Sequence, residues 1–204
     1  MEKFDQLAAS WDTPEKIERA MVAAEKLITA FPEIKGSTAL EFGAGTGLLS
    51  RALCKHLKHI TVVDSSQKMV DEIHKKFGQL KYVNYTAIRS DVSDLKNSGK
   101  YFELIYSLLA LHHITDIENA FKSVSSMQKS GNMLVIFDLY PEDGSFHNFE
   151  DGIHLGFSEQ DMEKYLSQAG YKQMSFSEAF RVHKLNLSGT ISEYPVFMSV
   201  ARKE

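Results

Sequence analysis

The chain is poor in features that would staple it, send it to a membrane or draw it to nucleic acid. Its 204 residues hold one cysteine, Cys54, which excludes an internal disulfide framework and fits a reducing, cytoplasmic compartment. There is no basic surplus: 23 Lys and Arg stand against 27 Asp and Glu, for a formal net charge of −4. Nothing in that balance pulls the chain toward phosphate backbones or anionic lipid. The start, "MEKFDQLAASWD", lacks the basic and then apolar regions of a signal peptide, and no apolar run is long enough to span a bilayer. Internal repeats and low-complexity segments are absent too. What remains is 43% hydrophobic and 25% charged, the composition of a globular protein whose length suits a single domain over residues 1–204.

Strand and helix patterns alternate along the chain. Thr13 and Pro14 read as the cap and first position of a helix through Phe31, with Ile17, Ala20, Met21, Ala24, Leu27, Ile28 and Phe31 as its buried stripe. "TALEF" (38–42) reads as a buried strand, "GLLSRALCKHL" as a helix and "HITVVD" (59–64) as a second strand. "SQKMVDEIHKKF" is a helix with Met69, Val70, Ile73 and Phe77 on one side. "KYVNYTAIRSDV" contains a third strand, "YFELIYSLL" (101–109) a fourth and "NMLVIFDLY" (132–140) a fifth, with a helix from Asp116 between the last two. Such alternation implies right-handed crossovers and a mostly parallel sheet with helices on both faces. Ser158 then caps a helix with Asp161 as its capping-box partner and Gly170 as its stop. The two final strand patterns, "SFSEAFRVHKL" and "YPVFMSVARK", have no helical pattern between them and can pair only as antiparallel neighbours.

Between the first strand and its helix stands "EFGAGTGLLS". A glycine-rich turn there lies at the mouth of an open α/β sheet, where ligands bind beyond the carboxyl ends of the strands. The dinucleotide fingerprint G-x-G-x-x-G fails at its third glycine, where Leu48 stands, and no lysine follows Gly47 to make a phosphate loop. Instead Glu41 ends the first strand, Asp64 the second, and Asp91 follows the third. Three acids at successive strand ends suit a ligand with a ribose and cationic groups and would repel pyrophosphate. An adenosyl amino acid fits better than a dinucleotide. Other roles stay open: Asp64 also suits a helix cap for "SSQKMV", Asp94 rivals Asp91 within "SDVSDL", and Trp11 suits plain packing on the first helix.

"ALEFGAGTG", "TVVDSS", "RSDVSDL" and "YFELIYSLLALHHI", in this order, resemble the successive motifs of class I S-adenosylmethionine-dependent methyltransferases, above all the small-molecule branch of ubiquinone/menaquinone-biosynthesis type. The likeness covers residues 4–140, and "FDQLAASWD" resembles the segment that folds over the cofactor in such enzymes. It implies a Rossmann-like α/β sheet of seven strands in the order 3-2-1-4-5-7-6, strand 7 antiparallel, with residues 1–31 as an N-terminal helical lid. It also implies S-adenosyl-L-methionine as cofactor and S-adenosyl-L-homocysteine as product. Gly43, Ala44, Gly45 and Gly47 would then meet the methionine part, with Glu41 near its ammonium. Asp64 would bind the ribose hydroxyls, Asp91 and Val92 would meet the adenine, and Ser65 and Met69 would also contact the cofactor. Leu108 to Leu111 would line the sulfonium, while Trp11 and Phe4 would close the top.

The acceptor is narrowed by absences. "SLLA" stands where amino-methylating enzymes of adenine or glutamine carry Asn/Asp-Pro-Pro-aromatic, and no Pro-Cys nucleophile is present, Cys54 reading as a buried, inert thiol. No phosphate-tracking surface is indicated, so a small molecule is favoured over nucleic acid. A protein acceptor stays open, as do a non-catalytic binder of the cofactor and a nucleotide-dependent oxidoreductase. An acceptor that must lose a proton needs a base. His113 is the first candidate, with His112 pointing the other way if the fourth strand continues. Asp138, Tyr140, His147 and His154, in the polar stretch 138–158, are candidates to line the acceptor pocket, or members of a polar surface loop. His113, His147 and His154 form a conceivable zinc set that no spacing imposes, and no metal is expected.

Overall fold

The computed structural model describes residues 2–80, 84–96, 99–185 and 189–204. Seven strands form one sheet: β1 (Thr38–Phe42), β2 (His59–Asp64), β3 (Tyr85–Arg89), β4 (Leu104–Leu108), β5 (Met133–Leu139), β6 (Tyr171–Leu185) and β7 (Ile191–Lys203). Their order is β3-β2-β1-β4-β5-β7-β6. The first five pair in parallel, and β7 runs antiparallel to both β5 and β6. Six helices accompany them: α1 (Glu2–Leu7), α2 (Pro14–Ala30), α3 (Leu48–Leu53), α4 (Gln67–Gln79), α5 (Ile117–Ser126) and α6 (Glu159–Gln168).

Alternation along the strands builds a core on each face of the sheet. Ile60, Val62, Tyr106, Val135 and Phe137 pack on the face that holds Leu27, Leu49, Ile73 and Phe77. Their neighbours Val63, Ile105, Leu134 and Ile136 pack with Phe121, Val124 and Leu166 on the other. Register places Glu41 opposite both Val62 and Tyr106, so the carboxyl ends of β2, β1 and β4 open at one edge.

The capping signals are realised: the Thr13 side chain accepts from the Lys16 N–H, Asp116 from Asn119, and Ser158 with Asp161 forms the reciprocal box. Several boundaries and faces differ from expectation. The helix after the glycine loop stops at Leu53 rather than reaching residue 57, and β4 begins at Leu104 rather than 101. The last two strands are longer at their starts, Tyr171 and Ile191. Part of the third-strand stretch, residues 81–83, lies outside the described residues.

The stripe assigned to α2 is also corrected. Ile17 and Met21 are 38% and 62% exposed, and the buried face is Ala20, Ala23, Ala24 and Leu27. Small side chains let α2 approach α3 closely, and that packing outweighs burial of the two larger residues. The rotation turns Lys16 and Arg19 toward the open edge of the sheet, which bears directly on the site.

Candidate active site

At that edge lies a cavity of about 560 Å³. The loop after β1 forms its floor. Gly43, Gly45 and Gly47 all have positive φ, the backbone region glycine occupies without strain. Gly43 has a further reason to lack a side chain: a Cβ there would stand 2.3 Å from the Cβ of Ala110, in the loop after β4. The Ala44 N–H donates to the Val63 carbonyl at 3.0 Å, tying the loop to β2.

Of the sixteen residues expected around the cofactor, all but Gly47 and Leu111 line this cavity. Gly47 is the left-handed residue preceding α3, and a Cβ on it would press on Phe77 and Ile73 at 3.1 and 3.2 Å. A side chain there would crowd α4. Glu41 is fully buried; its Oε2 accepts from the Ser50 N–H at 3.0 Å and from the Ser50 hydroxyl, which also meets the Tyr106 hydroxyl at 2.7 Å. Burial pushes the Glu41 carboxyl up to about 8, against the two hydrogen bonds from Ser50. Asp64 accepts from the Gly45 N–H on Oδ2 at 2.7 Å and from the Ser66 N–H on Oδ1 at 2.9 Å. Burial raises its pKa as well. The helix cap for "SSQKMV" is Ser66, whose hydroxyl accepts from the Met69 N–H, so capping does not account for Asp64.

Asp91 does cap a turn, its Oδ1 accepting from Ser93 at 2.8 Å, and Asp94 lines the cavity beside it. Phe4 and Trp11 also line it, as an edge-on pair with ring centroids 5.9 Å apart, Trp11 lying against the glycine loop at Gly45. The segment carrying them is pinned at several points. Asp5 accepts from the Ser66 hydroxyl, Asp12 from Thr46, and Lys76 bridges to Asp12 at 2.6 Å. Lys16 and Arg19, which are not among the expected site residues, line the cavity too. Lys16 sits 3.3 Å over the Trp11 ring, and burial lowers its ammonium to about 8. No periodicity in the sequence reveals these two, because the turn of α2 that exposes them is set by its alanines.

The histidines are arranged differently from expectation. β4 ends at Leu108, Leu109 takes φ 51°, and residues 111–113 form a tight turn. His112 therefore does not point away from His113: their ring centroids are 4.2 Å apart. His112 Nδ1 lies 2.6 Å from Asp138 Oδ1, and His112 Nε2 lies 2.9 Å from His147 Nε2. Burial and the neighbouring His112 hold the pKa of both His113 and His147 near 3, so both are neutral imidazoles. Of the three histidines in the conceivable zinc set, the structure joins His113 and His147 with His112 instead of His154. The His154 ring packs on Phe157 instead, with centroids 5.5 Å apart. Tyr140 turns onto the other face of the sheet against Phe176 and Phe197, because it follows the buried end of β5 by one alternation. Neither His154 nor Tyr140 is among the cavity-lining residues; His113 is.

The residues present fit an adenosyl amino acid. A carboxylate offers about four acceptor positions. Asp64, buried in the cavity wall, spends two on backbone N–H groups and has no cationic partner among the described residues. The cavity lining also combines carboxylates with the cations Lys16 and Arg19, matching a zwitterionic amino acid.

Residues 39–131 match the family described as a methyltransferase domain. Among relatives, an uncharacterised methyltransferase of Schizosaccharomyces pombe is 30% identical over 59% of this chain and 45% of its own length. The ubiquinone biosynthesis O-methyltransferase of Coxiella burnetii is 28% identical over 65% of this chain and 58% of its own. The chain thus spans about half the length of these curated relatives. An S-adenosylmethionine-dependent methyltransferase from Clostridium acetobutylicum superposes with TM-score 0.72 at 19% identity, covering 99% of this chain and 96% of that one. A putative methyltransferase from Bacillus halodurans does so with TM-score 0.76 at 14% identity, covering 88% and 98%. Residues 39–131 thus carry a methyltransferase domain, set in a seven-stranded sheet whose order is that of the class I S-adenosylmethionine-dependent methyltransferase fold.

Proposed function

We propose that the chain transfers a methyl group from S-adenosyl-L-methionine to a small-molecule acceptor by in-line displacement, releasing S-adenosyl-L-homocysteine. The observation that carries this reading is the buried, uncompensated Asp64 facing a glycine-floored cavity within the matched domain. The cofactor supplies an activated methyl on a sulfonium, itself a good leaving group. The chain's own work is to bind, align and exclude water.

Asp64 holds the ribose hydroxyls on its free acceptor positions. Asp91 and Val92 meet the adenine, Asp91 through the oxygen that is not capping the turn. The Gly43–Gly45 backbone admits the amino-acid part, Glu41 faces its ammonium, and Arg19 with Lys16 receives its carboxylate. Phe4 and Trp11, on residues 1–31, act as the lid within a single domain. His113 stands on the acceptor side of the cavity, where a neutral imidazole accepts a hydrogen bond and orients the nucleophile. His154 and Tyr140 do not line the cavity and take no part in the transfer. The acidic net charge and the single buried cysteine favour a small acceptor and a cytoplasmic setting over a nucleic-acid partner.

The direct test is methyl transfer from labelled cofactor to a panel of small phenols, enols, thiols and amines. Label in at least one product supports the reading; cofactor binding with no transfer to any small acceptor points to the binder or protein-acceptor alternatives. Arg19→Ala is expected to weaken cofactor binding about tenfold by calorimetry, the scale of one charge-assisted hydrogen bond at a half-buried site. A change below twofold would remove Arg19 from the carboxylate.

Glu41 also makes folding depend on pH. Its carboxyl titrates near 8 when folded and 4.5 when unfolded, so between those values the folded state binds more protons. Its contribution to stability is therefore largest below pH 4.5 and is lost as pH rises toward about 8. Urea unfolding across that window should show Glu41→Gln gaining on the wild type by a few kcal/mol as pH rises. Parallel curves for the two would show that Glu41 is already ionised in the folded chain.

A further inference from the structure

The loops after β4 and β5 meet at three imidazoles. His112, His113 and His147 each offer a ring nitrogen, and these nitrogens all lie within 4.8 Å of one another. His112 is held from behind. Its Nδ1–H donates to Asp138 Oδ1, while Asp138 Oδ2 accepts from the backbone N–H groups of Leu111 and His112 itself. That fixes the tautomer and turns the Nε2 lone pair outward, as a carboxylate behind a metal-binding histidine does.

The outward Nε2 faces His147 Nε2 at 2.9 Å. Two imidazole nitrogens so close share either the hydrogen of one N–H or a bound cation. In a tetrahedral zinc site the ligand nitrogens stand roughly 3.3 Å apart, so a small opening of this contact admits an ion. His113 adds the third nitrogen: its ring centroid is 4.8 Å from that of His147, and its ring nitrogens have no hydrogen-bond partner among the described residues. Two neighbouring cations oppose an ion here, and both are engaged. Lys3 pairs with Glu150, and Lys184 donates to the Phe146 carbonyl.

We propose that His112, His113 and His147 bind a divalent transition metal of the zinc class, with Asp138 as the carboxylate behind His112 and one coordination position open. Three neutral nitrogen ligands with an open fourth place are the donor set of reactive rather than purely structural zinc. His113 lines the cavity, so the open place adjoins the acceptor side. A hydroxyl or thiol bound there would release its proton to solvent more readily, because the ion stabilises the anion. That consequence rests on the methyltransferase reading; metal binding does not.

The test needs neither cofactor nor turnover. Chelator-treated full-length protein is titrated with Zn²⁺ by calorimetry and with Co²⁺ by visible absorption. One equivalent of each, tetrahedral cobalt bands, and displacement of Co²⁺ by Zn²⁺ are expected. His147→Ala should weaken binding at least ~100-fold, more than loss of an outer-shell partner costs. His154→Ala, outside the trio, should bind as wild type. If the His147→Ala circular dichroism or melt departs from wild type, His147→Gln takes its place with the same loss expected. Binding no tighter than millimolar, or binding undiminished by the His147 variants, overturns the proposal and leaves the trio a hydrogen-bonded relay.

Discussion

Asp138→Ala is expected to cost about 3–5 kcal/mol of stability, the scale of stripping one partner from a buried hydrogen-bonded pair. The carboxylate is fully buried at the end of β5 and accepts from the backbone N–H groups of Leu111, His112 and Leu139 as well as from the His112 ring. Alanine leaves four donors facing a space that water enters only at the cost of opening the loops. For a chain of this length the loss corresponds to a fall in Tm of roughly 6–20 °C. Asp138→Asn should lose less, since its carbonyl oxygen still accepts two of the donors. Urea and thermal unfolding read both. A loss below about 1 kcal/mol for the alanine variant would mean that the loops repack without Asp138.

Gly43→Ala is expected to abolish cofactor binding, by at least about 100-fold, while the chain still folds with a loss of roughly 2–3 kcal/mol. Two effects add. The residue has φ +61°, and the new methyl would lie 2.3 Å from the Ala110 Cβ, a rigid neighbour fixed to its own backbone. Relief comes only by moving the loop after β1 or the loop after β4, and both are cavity walls. Gly36→Ala is the control: it shares the positive φ, +85°, but has nothing within 4 Å of the added carbon. It should lose only the left-handed preference and keep cofactor affinity. If Gly43→Ala binds as wild type, the two loops are free to separate and the glycine floor is not what shapes the site.

The parts of the site that depend on strand ends were legible in the chain itself. Glu41, Asp64 and the glycines sit where buried apolar runs stop, and a parallel sheet brings successive stops to one edge. The antiparallel pairing of β6 with β7 followed from the missing crossover helix. Insertion of β7 between β5 and β6 did not follow from the residues; it came from resemblance to a family. What stayed hidden depends on tertiary choices. Lys16 and Arg19 face the cavity because α2 seats its alanines rather than Ile17 and Met21. His112 and His147 meet across 35 residues because the strand breaks at Leu109 and the loop after β5 folds back. One signal was present: an aspartate inside the fully buried run "MLVIFDL" needs a partner, and two adjacent histidines follow the neighbouring strand.

The central claim is the cofactor, and calorimetric titration of wild type and Asp64→Ala with S-adenosylmethionine, S-adenosylhomocysteine and NAD tests it most directly. Micromolar binding of the first two, no binding of NAD, and loss of affinity in the variant are expected. Binding of NAD alone, or of none of the three, would contradict it.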